Sequence, residues 1–251
     1  MNLLKLKRGS GHIEIIISFV LFVGFVSFLF YMFNPFQNTS DTDYADRVFL
    51  KIEEKILTSI SSVSLVLNGV DFNTISCFSI NDPGLISDLE CNSEKEILVK
   101  DKNGNIVNAD INYESNTINI KVSEIADVDD KSFYTLYCSG ELIKIPTTES
   151  CTSITSSQYT IGLINDREYW SKKKLDNFNN SYSNNYNELK SSVIPEGNDF
   201  SFIIYVFGGD KVYDGNKNPP GRIKVNSRSY PIDILDERAN VKKYSNTIIV
   251  W

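Results

Sequence analysis

Proton transfer and metal chemistry in proteins lean on histidine, and this chain of 251 residues has one, His12. It precedes a long apolar run, so everything beyond residue 40 lacks an imidazole. A Ser-His-Asp or Cys-His centre, and any zinc site that uses histidine, is thereby excluded from that portion. The phosphate-loop, dinucleotide-binding and H-E-x-x-H motifs are absent as well. Asp127-Val128-Asp129-Asp130 and the stretch from Asp210 to Asn218 have the oxygen donors of calcium loops. Neither matches the EF-hand template, and both read as solvated turns. Paired carboxylates for glycoside hydrolysis need not be close in the chain, and nothing points to them. The expectation is a protein that is not an enzyme and needs neither cofactor nor metal.

Thiols are the second source of chemistry. Cys77, Cys91, Cys138 and Cys151 all lie beyond the apolar run. An even count in an exported domain suggests disulfides. Four cysteines allow three connectivities, and the sequence does not choose among them. Pairing 77 with 91 and 138 with 151 is favoured, because each pair then brackets one loop between strands. A four-cysteine zinc site lacks the C-x-x-C spacing. Asn38-Thr39-Ser40 and Asn179-Asn180-Ser181 are glycosylation sequons, which makes Asn38 and Asn179 candidate modification sites.

The composition is that of a folded protein, 41% hydrophobic and 12% aromatic, with a net charge of -7. An acidic chain of this kind does not suit nucleic acid, whose phosphates want a basic face.

One carboxylate stands in an unusual place. Lys5, Lys7 and Arg8 precede Gly9, Ser10, Gly11, His12, Ile13 and Glu14, and an uncharged run follows from Ile15 to Phe33. That run makes about 28 Å of helix, close to the thickness of a bilayer's hydrocarbon core. The basic flank predicts a single-pass anchor with the carboxyl-terminal part exported. A carboxylate just inside such a helix costs about 2–3 kcal/mol or more unless it is paired. A cleavable secretory signal would have a shorter apolar region ending in small residues, whereas this one ends in Tyr31-Met32-Phe33-Asn34-Pro35-Phe36.

The pattern of basic residues, Gly9, Glu14 and the apolar run resembles the type IV prepilin signal, and more closely the class III signal peptides of archaeal pilins. The resemblance implies cleavage after Gly9 by a prepilin peptidase, which makes Ser10 the new N-terminus. Glu14 then holds the fifth mature position, where the family's glutamate neutralises the terminal amine of a neighbouring subunit during assembly. Ser10 departs from the glutamine common at the first position of archaeal members.

The remaining pattern must supply the body that this segment carries. Asn34 to Ser40 is a breaker around Pro35. From Asp41, Ala45, Val48, Ile52, Ile56, Ile60, Val63 and Leu67 recur at helical spacing up to Gly69, predicting one amphipathic helix. A hairpin is expected around Asn103-Gly104, joining 97–99 to 106–107. Strands are expected at 118–122, 133–137, 200–207, 222–225, 230–235 and 246–251. A further helix is expected from Arg167 to Val193, with Trp170, Leu175, Phe178, Tyr182, Tyr186 and Leu189 as its apolar stripe.

The expected fold is α+β, an N-terminal transmembrane helix plus an amphipathic helix packed on an antiparallel β-rich extracellular domain. Its parts are a leader at 1–9, a transmembrane and assembly helix at 10–34, a hinge at 35–40 and a head at 41–251. The resemblance implies a pilin-like structural subunit at the cell surface, with prepilin peptidase, other pilin-like subunits and membrane lipid as partners. An anchored receptor or adhesin that never polymerises is the alternative.

Overall fold

The computed structural model describes residues 10–33, 39–71, 75–122, 131–147, 151–215 and 217–251. Gly9, Asn38 and Asp127 to Asp130 lie outside them, as does most of the expected hinge. Helix α1 spans Ser10–Phe33 and α2 spans Thr39–Ile56. β1 (Leu57–Asn68) follows directly, then β2 (Cys77–Asn81), α3 (Pro83–Asp88), β3 (Glu96–Asp101), β4 (Ile106–Val107) and β5 (Ala109–Asn112). β6 (Thr117–Lys121), β7 (Lys131–Ser139), β8 (Thr152–Ile154), β9 (Tyr159–Ile161) and β10 (Asn165–Ser171) lead to α4 (Lys172–Asn184) and α5 (Tyr186–Val193). The last strands are β11 (Phe200–Val206), β12 (Lys211–Asp214), β13 (Asn226–Leu235) and β14 (Val241–Val250).

The body is mixed α/β and sheet-dominated, with 41% strand and 29% helix. A ten-stranded sheet runs β12-β11-β14-β13-β10-β1-β7-β3-β4, with β9 also paired to β1. A four-stranded sheet runs β5-β6-β2-β8. The expected all-antiparallel head is overturned: β10 pairs parallel to β13, and β2 pairs parallel to β8. Parallel neighbours need crossover connections, and α4 with α5 lies on the one between β10 and β13.

The transmembrane helix is corrected too. Among the described residues no helix is long and apolar enough to cross a membrane.

The amphipathic pattern from Asp41 divides at Ile56. Its first half is α2, which begins at Thr39 and buries Ala45, Val48, Ile52 and Ile56. Its second half is β1, where Val63, Leu65 and Leu67 are buried at every second position. Thr58, Ser59, Ser61, Ser62 and Ser64 favour this outcome, since short hydroxyl side chains compete for helical backbone groups. Val63 and Leu67, four apart, fit either period, whereas Ile60 turns to the other face of the strand. The expected helix from Arg167 divides as well. Residues 165–170 pair with β1, from Ser62↔Asn165 to Leu57↔Trp170. Helix begins only where the Ser171 hydroxyl accepts from the Lys174 N–H at 3.0 Å, a side-chain N-cap. Residues 222–225, expected as a strand, carry none.

The hairpin at Asn103-Gly104 forms, with Val99↔Val107 and Lys100↔Ile106 in register and Gly104 at φ 81°. The last strand is interior to the sheet, paired to β11 and β13.

Two covers share one face of the large sheet. Over β10, β13, β14 and β11 lie α2, α4 and α5, enclosing Trp170, Leu175, Phe178, Tyr182, Phe200, Phe202, Ile232 and Ile248. Over β1, β7 and β3 lie the four-stranded sheet and α3, enclosing Val63, Leu65, Phe78, Ile80, Leu85, Val99, Ile118, Ile120 and Leu136. The opposite face carries a small cluster of Ile60, Leu98, Leu142, Leu235 and Ala239.

Both disulfides belong to the second cover, and their pairing differs from the expected one. Cys77 bonds Cys151 and Cys91 bonds Cys138. The parallel pairing of β2 with β8 aligns Phe78 with Thr152, which brings Cys77 and Cys151 to a Cα separation of 4.5 Å. Cys138 lies on β7 opposite Ile97, and Cys91 follows α3 and closes on it at 6.0 Å. Two disulfides and no free cysteine fit an oxidising setting outside the cytoplasm.

Candidate functional site

Of the residues singled out in the sequence, Ser10 is the first of α1 and Glu14 stands one turn in, exposed. Between 14 and 30 every described side chain except those of Val26 and Leu29 is exposed. Asn179 is half-buried on α4, with a side-chain oxygen that is buried and has no hydrogen-bond partner. Within 210–218, Lys211–Asp214 form β12, with the Lys211 ammonium on the Asp214 carboxylate at 2.7 Å. Among the described residues no cluster of histidine, cysteine or acidic side chains could hold a metal ion.

The next helix in the chain, α2, is fastened to the body by a clamp. Arg228 pairs with the Asp46 carboxylate at 2.5 Å, and the Tyr230 hydroxyl donates to the same group. Phe49 stacks on Tyr230 at 4.0 Å and on Trp170 at 5.7 Å. The indole N–H of Trp170 donates to Glu53 at 3.5 Å. These contacts add direction to an apolar docking that burial alone would leave free to slide.

On the opposite face a cleft of about 340 Å³ opens over the small cluster. Ile60, Leu235, Ala239 and Val241 are its apolar lining, and Ser62, Tyr137, Asn165, Arg167 and Tyr169 its polar one. Strand alternation explains the set. Arg167 and Tyr169 point to this face, while Trp170 on the same strand packs under the helices. Burial pushes the Tyr137 phenol above its ordinary value, and the neighbouring Tyr169 phenol adds to that. Among the described residues, the Tyr137 and Tyr169 hydroxyls and the Arg167 guanidinium make no hydrogen bond.

One wall of the cleft is the turn between β13 and β14, and a buried lysine holds it. The Lys100 ammonium donates to the Ala239 carbonyl at 3.0 Å and to the Asn240 side-chain oxygen at 2.9 Å. It also lies 5.4 Å from the centre of the Tyr137 ring. Burial holds this ammonium below the usual lysine value, and Asp236 opposes the shift. The Asp236 carboxylate accepts from the Arg238 and Asn240 N–H groups at 2.9 and 2.8 Å and from the Asn240 amide at 3.0 Å. Asp101 does the same for Asn103 and Asn105 in the β3–β4 turn. The two turns share an Asp-x-x-x-Asn frame, but Ala239, at φ 54°, stands where the other turn has Gly104. A non-glycine residue in that region is strained by about 1–2 kcal/mol.

The sequence reading missed this cleft. Lys100 lay just past the strand expected at 97–99, and Arg167 with Tyr169 lay in a segment read as helix. The available signal was the alternation of Arg167 and Tyr169 with Glu168 and Trp170. Compared with protein-family models, curated proteins and solved structures, the chain matches none.

Proposed function

We propose that the chain is a pilin-like structural subunit of a type IV filament or a related surface assembly, polymerised through α1. The observation that carries this reading is the exposure of α1. Ile15, Phe19, Leu21, Phe22 and Phe30 are 67%, 66%, 68%, 65% and 64% exposed. A contiguous apolar surface of this extent requires a cover. Helices of neighbouring subunits are the natural one, and membrane lipid would serve before assembly.

Glu14 has a role in such a bundle. Cleavage after Gly9 frees the Ser10 amine, and a carboxylate paired with an amine is tolerable among apolar helices where either alone is not. The Asp46, Arg228 and Phe49 clamp would pass load from the bundled helices to the body. The body, braced by disulfides, is displayed outward, and prepilin peptidase is the processing partner.

The test is the N-terminal mass of the mature chain, in cells with and without the prepilin peptidase. A start at Ser10 that requires the peptidase is expected. An intact Met1 would overturn the filament reading. It would leave a surface receptor or adhesin that does not polymerise, a role that the cleft on the bare sheet face favours.

A further inference from the structure

We infer that the cleft over β1, β7, β10 and β13 is a binding site for an acidic sugar residue, of the uronate class. A bound carboxylate needs a cation without a competing anion, and Arg167 lines the cleft with no hydrogen bond or ion pair among the described residues. Acids next to it in sequence are turned away by the strand alternation, and Glu168 lines a different pocket beside α2. The turn acid Asp236 is already occupied by Arg238, Asn240 and the charge of Lys100. Asp233 shares this face of β13 but does not line the cleft, so Arg167 is the charged group of the lining.

The remaining lining fits a ring that carries hydroxyls. Tyr137 and Tyr169 offer flat apolar faces and two uncommitted phenol groups, and Ser62 and Asn165 add polar atoms at the rim. Ile60, Leu235 and Val241 cover the less polar face of such a ring. At about 340 Å³ the cleft falls in the range of small-ligand sites. Its wall is held before any ligand arrives, since Lys100 fixes the Ala239 carbonyl in a strained turn.

The experiment titrates glucuronate, glucose and acetate against the full chain in detergent, read by calorimetry or ligand-observed NMR. Saturable glucuronate binding is expected, about tenfold or more tighter than glucose or acetate. Arg167→Gln should abolish the preference over glucose, and Tyr169→Phe should weaken binding severalfold while both variants keep the parent melting temperature. Failure of glucuronate to saturate the site would overturn the proposal. So would glucuronate affinity unchanged in Arg167→Gln. Acetate binding as tightly as glucuronate would overturn the sugar assignment.

Discussion

One face of a single sheet is covered in two ways, and the covers are stabilised differently. Over the β11–β14 end, three helices bring large aromatic side chains, and Phe200 and Phe202 are 0% and 1% exposed without any disulfide nearby. Over the β1–β3 end, a four-stranded sheet with short strands supplies mainly isoleucine, and both disulfides sit there. Helices satisfy their own backbone and can concentrate on apolar contact. A small sheet with strands of three to five residues leaves more of its integrity to cross-links. The teaching is that covalent bracing follows the thinner cover.

The largest test of that contrast removes an aromatic from the helix-covered core. Phe202→Ala should destabilise by about 3–5 kcal/mol in chemical denaturation, because the rings of Phe178 and Tyr182 at 5.3 and 5.2 Å cannot both collapse into the void. A loss under about 1 kcal/mol would show that this core repacks freely.

Next in size is the replacement of Cys91 and Cys138 together by serine. That bond closes a separation of 47 residues, worth about 4 kcal/mol in the chain-entropy model. Hydrogen exchange should rise in β2, β6 and β8 and stay unchanged in α4 and α5. Equal loosening of both ends would break the comparison.

The third test is pH. Burial pushes the Tyr182 phenol up to about 12 from 10.0. A phenol whose folded pKa is raised stabilises the protein fully below about pH 10, and the contribution is lost as pH climbs from 10 towards 12. The loss from this group is on the order of 2 kcal/mol. Tyr186 shifts the same way, chiefly by burial. Tyr182→Phe should flatten this part of the alkaline stability curve, and an unchanged slope would assign it elsewhere.

The smallest effects compare the two Asp-x-x-x-Asn turns. Gly104→Ala should cost about 1–2 kcal/mol, since its φ of 81° suits glycine alone and nothing compensates. Ala239→Gly should be nearly neutral, because relief of strain is offset by about 0.8 kcal/mol for the buried methyl. A clear gain from Ala239→Gly would mean that the methyl contributes little to the small cluster.

The two errors of element type have one cause. Val63 and Leu67, four apart, satisfy helical and strand spacing alike, and Trp170, a buried side chain of β10, was read as the start of the helical stripe that Leu175 begins. Periodicity in one dimension cannot say which neighbour will satisfy the backbone. For residues 57–68 that neighbour is β7 on one side and β10 with β9 on the other. The hairpin at Asn103-Gly104 was legible because its register is set by two adjacent residues.

The sequence by itself determined local matters: the apolar helix with Glu14, the Asn103-Gly104 turn, the oxidised cysteines and the absence of imidazole chemistry beyond residue 40. Each depends on residues near one another in the chain, where a side chain acts on its own backbone. Tertiary structure alone decided which cysteines meet, where β10 pairs parallel to β13, and that Lys100 reaches Ala239 across 139 positions. Those outcomes depend on strand order, and strand order is chosen by burying whole faces at once.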